Sequence, residues 1–383
     1  MRITTAMKAK NRKEIPNSVL TRLWARSAGR CAYTGCNEVL WEDILTRRNY
    51  NQAYIAHIIA AEPDGPRGDD ILSPKLCQDY ENLMLLCDRH HRLIDRVDVA
   101  GHPPNRLYEM KLAHEDRMDR LTGIQENKKS QIILYLANVG PQTPALSNDI
   151  ACETITPAYY PASSRAIDLA YRNSVNRDHD PAYWQIEEHN LINQYKEKVA
   201  PLCSDGSTAH FSIFAFAPQP LLIKLGALLG DAHAMDIYQR HRQPPSWKWQ
   251  LPTETVIYRV IPPAEDLPTV ALNISLSARI NNDRIYKTLG ANCSIWTITI
   301  DSPNLHFVRS PTQLAAFRQI ARSVYDEVNF KYGQPTPLHV FPAMPNSLAI
   351  EFGRSRLPKV DVPLVVYDNN KETDGFSKAL TIN

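Results

Sequence analysis

Between Cys31 and Asp95 the chain carries two interleaved sets of side chains able to bind metal or move protons. The first is Cys31 and Cys36 in RCAYTGCNE, followed by Cys87 and His90 in LLCDRHH. Two short knuckles, each offering a pair of soft or borderline ligands, can close a tetrahedron around one zinc ion and hold together a segment too small for a large core. The second set is His57 in YIAHIIAAE, Asn82 in ENLMLLC, and His91 with Asp95 in HHRLID. Its chemistry is that of phosphodiester hydrolysis, which needs an activated water, a countercharge for the developing phosphate and help for the leaving oxygen. His57 lies on an apolar, strand-like run with Tyr54, Ile55, Ile58 and Ile59, which can hold a neutral ring nitrogen toward water. His91 and Asp95 are four residues apart, so on a helix they share a face and can share Mg²⁺ or a similar ion. Asn82 sits between these elements, where its amide can bond the backbone across a turn and fix the loop carrying His57.

Taken together, AHI, ENLMLLC and CDRHHRLID resemble the HNH endonucleases of ββα-metal fold. That resemblance implies His57 as general base, Asn82 as organiser of the motif and His91 as ligand of the catalytic metal. It also implies that Cys31, Cys36, Cys87 and His90 form a structural zinc site, with His90 where many relatives have cysteine. Many members have an acidic residue or histidine just before the first motif histidine, and here that position is Ala56. Asp95 and water are then expected to complete the metal shell. Cys77, His102 and His114 read as ordinary packing residues.

The elements that position these residues are partly legible. Pro16 and Asn17 start a helix running to Trp24 and Ala28, just ahead of the first knuckle. Residues 1–30 hold eight Lys or Arg against one acid, Glu14, a basic approach able to contact DNA phosphates without reading sequence. After Asp95, RLYEMKLAHEDRMDRLTG reads as a helix with Leu107, Met110, Leu112, Met118 and Leu121 as apolar positions. The expected organisation is an endonuclease domain over 1–123, a connection over 124–164 and a second domain over 165–383. The whole is an α+β multidomain chain: a small zinc-containing ββα-metal domain followed by an α/β domain of two fused Rossmann-like lobes.

Those lobes come from repetition. HFSIFAFA reads as a buried strand, PQP ends it, and LLIKLGALLGDAHAMDIYQRHR continues as one helix. Strands TVIYRVI, TVALNISLS and CSIWTITI follow, then a helix from Thr312 to Phe330, then LHVFPAMPNSLAIEFGRS with the same strand, proline loop and helix. HVFPAMPNSLAIEFG, with FAFAPQPLLIKLG and the tryptophans of SWKWQ, resembles the SAVED domain, two fused CARF lobes that sense cyclic oligonucleotides. HNH followed by SAVED is similar to the effector nucleases of CBASS antiphage defence. The resemblance implies activation by a cyclic di- or trinucleotide and degradation of double-stranded DNA with little sequence specificity. Such a ligand asks for aromatic platforms, cations and backbone amides at strand tips. The candidates are Phe216, Pro218, Gln219 and Lys224 in one lobe, Ala343, Met344, Pro345, Asn346 and Ser347 in the other, and Arg240, Trp247 and Trp249 along a wall.

Seven cysteines, no signal peptide and no apolar run of membrane-spanning length lead us to expect a soluble cytoplasmic protein. Cutting both strands with a one-strand site favours a homo-oligomer, a dimer or a tetramer on activation. The competing enzyme is a restriction-type HNH endonuclease whose second domain reads DNA sequence or modified bases. Such a reader needs a basic face, and residues 131–383 hold 22 Lys or Arg against 23 acids. A zinc-knuckle module without catalysis would leave His57, Asn82 and His91 without a purpose.

Overall fold

The computed structural model describes residues 14–43, 45–46, 48–123, 127–140, 142, 145–170, 177–178, 180, 182–206, 208–251, 256–333, 336–370 and 375–383. Most of the basic N-terminal run, Arg2 to Lys13, lies outside these residues. The chain divides into two units, Met1–Ile124 and Gln125–Asn383. Among the described residues no helix is long and apolar enough to cross a membrane.

In the first unit helix α1 (Asn17–Arg26) precedes a loop, and β1 (Ala53–His57) pairs antiparallel with β2 (Leu83–Cys87), His57 opposite Leu83. A short helix, α2 (Leu72–Leu76), and a 3-10 turn over Tyr80–Asn82 lie between the strands. After β2 come α3 (Asp88–Arg92), a widened π turn over Leu93–Val97 and α4 (Pro104–Thr122). All five residues of β2 are buried, and with Leu23, Leu40, Ile58, Ile94 and Leu107 they form a small core. α4 opens on a proline, which suits a first turn with no amide partner. Its buried stripe is Leu107, Met110, Lys111, His114, Glu115 and Met118, whereas the expected apolar positions Leu112 and Leu121 are exposed. A polar pair displaces them: Lys111 bonds Glu115 and lies 3.8 Å from the Tyr80 ring centre, while Arg22 lies 3.7 Å from that centre.

In the second unit, strand β3 (Lys129–Leu136) is followed by α5 (Asn148–Ile155), β4 (Tyr160–Pro161), β5 (Ile167–Asp168), α6 (Tyr183–Lys198) and α7 (Ala200–Ser204). Then come β6 (Phe211–Phe216), α8 (Gln219–Leu229) and β7 (Met235–Tyr238), and two short strands, β8 (His241–Arg242) and β9 (Pro245–Ser246). The second lobe comprises β10 (Arg259–Ile261), β11 (Thr269–Ser275), α9 (Asn282–Leu289), β12 (Cys293–Thr299), α10 (Pro311–Tyr332), β13 (Leu338–Ala343), α11 (Asn346–Arg354), β14 (Leu364–Asn370) and β15 (Gly375–Ile382). One parallel sheet runs β4-β3-β6-β7 with β5 also on β3; the other runs β10-β12-β11-β13-β14-β15, parallel except for its two edge strands.

Two expectations are corrected here. The connection expected over 124–164 belongs to the second unit, because β3 pairs with β6 in the middle of the first sheet and is buried along six of its eight residues. Its run SQIILYL is the continuous apolar pattern of a parallel strand covered on both faces, masked in sequence by the polar QENKKS before it. The long helix expected from Leu221 to Arg242 stops at Leu229, where Gly230 takes φ +62°, and MDIY continues as a strand beside β6.

The two lobes meet through α8 and α11. Each position of 211–226 has a counterpart 127 residues on, so Pro218 corresponds to Pro345 and Gly226 to Gly353. A Cβ on Gly226 would lie 2.0 Å from the Ile350 carbonyl oxygen, and one on Gly353 would lie 2.0 Å from that of Ile223. The helices therefore cross backbone on backbone, reciprocally, at the one residue type that permits it.

Candidate functional site

Cys31, Cys36, Cys87 and His90 present ligand atoms that all lie within 4.8 Å of one another. Among the described residues this is the only group of three or more metal-ligating side chains so placed. The first knuckle turns through Gly35 at φ +84°, and the second is the junction of β2 with α3. His90 Nδ1 lies 3.2 Å from Cys87 Sγ and 3.6 Å from Cys31 Sγ, and its ring stacks on Tyr33 at 4.1 Å. Burial pushes the Cys31 thiol far above its ordinary range, and burial, reinforced by Cys36, raises Cys87. Burial first, and then Arg89, holds His90 toward its neutral form. Three thiols and a neutral imidazole in this space are a donor set that a divalent cation with tetrahedral preference completes.

On the other side of β1, His57 donates from Nε2 to the Cys77 carbonyl at 2.9 Å. A neutral imidazole donating there carries its lone pair on Nδ1, the form a general base requires. Asn82 is fully buried and bonds both backbone groups of Ile59: Oδ1 accepts from its N–H at 2.8 Å and Nδ2 donates to its carbonyl at 2.8 Å. The backbone two residues past His57 is thereby fixed. His91, on α3, stacks on Tyr54 at 4.8 Å and lies 3.2 Å from Asp95 through Nε2. His57, His91, Asp95 and Glu62 line one cavity of about 140 Å³.

Arg67 is the residue that sequence reasoning missed. Its side chain is 5% exposed and donates to the carbonyls of Ile58 at 2.8 Å and Ile94 at 2.6 Å, and to Asp95 at 2.5 Å. It ties the end of β1 to the turn after α3, and it sits at φ +59° in the tight loop PDGPRG. A Cβ on Gly68 would come within 2.2 Å of the Pro63 carbonyl oxygen, so that loop closes only with glycine there. The sequence signal was an arginine between turn glycines, indistinguishable from a surface loop without the fold.

Arg67 also corrects the expected role of Asp95. Its two carboxylate oxygens are engaged, one by His91 and one by Arg67, so it orients His91 rather than standing open to a cation. Burial opposes the charge on Asp95, yet the bonds from His91 and Arg67 outweigh it and hold the carboxyl below the ordinary carboxylate range. With Nε2 turned to the carboxylate, which orients the ring, His91 offers Nδ1, as many metal-binding histidines held by a carboxylate do.

The second unit contains a cavity of about 640 Å³ at the carboxyl ends of β6 and β13, where α8 and α11 begin. Ligands of open α/β sheets bind at such strand ends. Of the expected residues, Phe216, Pro218, Gln219, Arg240, Ala343, Met344, Pro345 and Asn346 line it. Arg242, Arg279 and Arg284 add positive charge, and Phe376 adds a second aromatic face. The Arg240 guanidinium carbon lies 5.1 Å from the Phe216 ring centre, and that of Arg284 lies 4.6 Å from Phe376. Both walls thus carry an arginine over a phenyl ring, one from each lobe.

A sequence profile described as the SMODS-associated and fused to various effectors sensor domain, SAVED, matches residues 191–382. The chain belongs to the SAVED family. Among curated proteins nothing matches it. Among solved structures it is similar to the Acinetobacter baumannii Cap4 SAVED/CARF-domain containing receptor with the cyclic trinucleotide 2'3'3'-cAAA, at 13% identity and TM-score 0.44, covering 72% of this chain and 56% of that one. The same receptor with 3'3'3'-cAAA gives 14% and 0.42, and the Moraxella osloensis Cap4 receptor 15% and 0.41. This chain therefore spans little more than half the length of those receptors.

Four expected pocket residues of the SAVED unit lie elsewhere, among them Trp249, which stacks on Tyr238 at 6.2 Å. Lys224 is on α8, a full turn past its start, and pairs with Glu188 at 2.8 Å. Trp247 is buried edge-on against Phe214 at 5.4 Å, in keeping with the usual place of a large apolar ring. Ser347 is fully buried, and both its N–H and its hydroxyl donate to Gln239 Oε1, at 3.2 and 2.7 Å. Gln239 rather than a ligand takes up that end of α11. The SAVED match begins at Leu191, whereas β3, β4 and β5, which precede it, are strands of the first sheet of the same unit.

Proposed function

We propose that this chain is an effector of CBASS type: a metal-dependent, HNH-like endonuclease that degrades double-stranded DNA when a cyclic oligonucleotide occupies its SAVED cavity. The observation that carries the nuclease half is His57, its Nε2 fixed on Cys77 and its following backbone clamped by Asn82, sharing a cavity with His91. His57 receives at Nδ1 the proton of the attacking water. Asn82 and Arg67 keep the strand end that carries it from drifting. Asp95 orients His91, whose Nδ1 would hold a divalent ion such as Mg²⁺. When bound, that ion supplies positive charge to the phosphate and the leaving oxygen. The Cys31, Cys36, Cys87 and His90 set would hold zinc as a structural clamp on the same fold.

The SAVED half rests on the family match and on a cavity with four arginines and two phenyl rings, suited to phosphates and base faces. Coupling follows from biology as much as chemistry, since an ungated nuclease of low specificity would destroy its host's DNA. Ligand binding is expected to change the assembly so that two nuclease sites address both strands.

The test is plasmid cleavage by the purified chain in Mg²⁺ with a panel of cyclic di- and trinucleotides, each arm repeated with His57→Ala. Cleavage triggered by one ligand and lost in the variant is expected. Equal cleavage with and without ligand would remove the gating, and cleavage surviving in His57→Ala would remove the assigned base.

A further inference from the structure

The SAVED cavity holds two carboxylates that its proposed ligand would not be expected to tolerate. Asp368, near the end of β14, and Asp178, from the first lobe, both line it; Asp178 accepts from the Gly140 N–H at 2.9 Å, and its charge acts on Asp368. Among the described residues no cation pairs with Asp368, although the same cavity has four arginines. Arg284 instead bonds Asn369 at 2.6 Å and covers Phe376, and Arg240 covers Phe216. Phosphates offer only acceptors, so a carboxylate facing them repels them. An acid kept in such a cavity therefore calls for a ligand group that donates.

In a cyclic oligonucleotide the donors are the remaining ribose hydroxyls and the base N–H groups. A hydroxyl gives a single donor. On the Watson–Crick edge adenine and cytosine place an acceptor nitrogen beside the amine, and uracil places its N–H between two carbonyls. Guanine alone offers two adjacent donors, N1–H and the N2 amine, spaced to meet both oxygens of one carboxylate, as a guanidinium does.

Resting on the reading of this cavity as a cyclic-oligonucleotide site, we infer that Asp368 is a specificity residue that reads guanine, and that the activating ligand contains at least one guanine. Burial, with Asp178 beside it, raises Asp368 to about 6, so it is still chiefly the acceptor carboxylate at neutral pH. Asp368→Asn keeps the shape but turns one oxygen into a donor. That donor opposes guanine N1–H and suits adenine N1, while the remaining oxygen accepts from the N6 amine.

Calorimetric titration of the full chain decides the matter, using cyclic di-GMP, cyclic GMP–AMP and cyclic AMP–AMP–GMP against cyclic di-AMP and cyclic tri-AMP. At least one guanine-containing probe is expected to bind the wild type at least about tenfold more tightly than the adenine-only probes. Asp368→Asn is expected to abolish or reverse that preference, and binding of an adenine probe by the variant reports that its fold is intact. Binding without a guanine preference, or a preference unchanged in both Asp368→Asn and Asp178→Asn, overturns the inference and leaves the sensor reading standing. Failure of every probe to bind overturns both.

Discussion

Arg67 carries more of the proposed nuclease site than its place in a loop suggests. Three of its contacts are backbone carbonyls and the fourth is Asp95, so it is a fork whose shape matters as much as its charge. Arg67→Lys is expected to lower ligand-triggered cleavage about tenfold or more, with retained zinc content as the check that the clamp survives. Asp95→Asn removes a charge that orients His91, and about 10- to 100-fold weaker divalent-ion dependence is expected in a Mg²⁺ or Mn²⁺ titration of cleavage. Asp368 gives a prediction of opposite sign. Because its folded pKa, about 6, lies above the ordinary aspartate value, the native state binds the extra proton, and its contribution to stability is lost as pH rises from about 4 through about 6. Asp368→Asn is therefore expected to stabilise the ligand-free chain at pH 7.5 by about 1–3 kcal/mol and to flatten that part of the pH profile, as read by chemical denaturation. At this scale the sequence spoke through residue type and spacing. His57, Asn82 and His91 could be singled out because motifs are local, and the fold sets His57 and His91 on one cavity, whereas Arg67, Arg284 and Asp368 act across loops that only the fold closes.

Among elements, the strand carrying His57 and the helix carrying His91 were legible from their apolar spacing, and the pairing of β1 with β2 was implied by the ββα-metal resemblance. β3 was not, since a strand buried on both faces has no alternation to announce it. β7 was lost for a related reason: MDIY fits a helical continuation as well as a strand until Gly230 is known to end the helix. The crossing of α8 and α11 was present in the sequence as two aligned glycines, but only packing says why they are glycines. Gly226→Ala or Gly353→Ala forces a methyl against a backbone oxygen that cannot swing aside, and a loss of roughly 3 kcal/mol is expected by denaturant titration. The knuckles form a clamp of another kind. Chelation is expected to destabilise the first unit, because the buried Cys31 and Cys87 and the half-buried Cys36 and His90 cannot replace the cation with contacts of their own.

For the whole molecule the consequence of two units is two stabilities. The core around β2 and the cores of the SAVED unit share no residue. Differential scanning calorimetry is expected to show two transitions, one lowered by chelator and the other raised by a cyclic oligonucleotide, by about 2.7 kcal/mol at a hundredfold excess over Kd. A chelator that shifts both transitions equally would mean that the units do not melt separately.

The glycine crossing sets a limit on how the sensor can respond. Where the helices touch at Gly226 and Gly353, main chain meets main chain and no side chain stands between them to change rotamer, and these are the helices that follow the strand tips at Phe216 and Ala343. The floor of the cavity thus acts as a caliper. A cyclic oligonucleotide seated there, as proposed, is expected to be sorted by its circumference before any base is read.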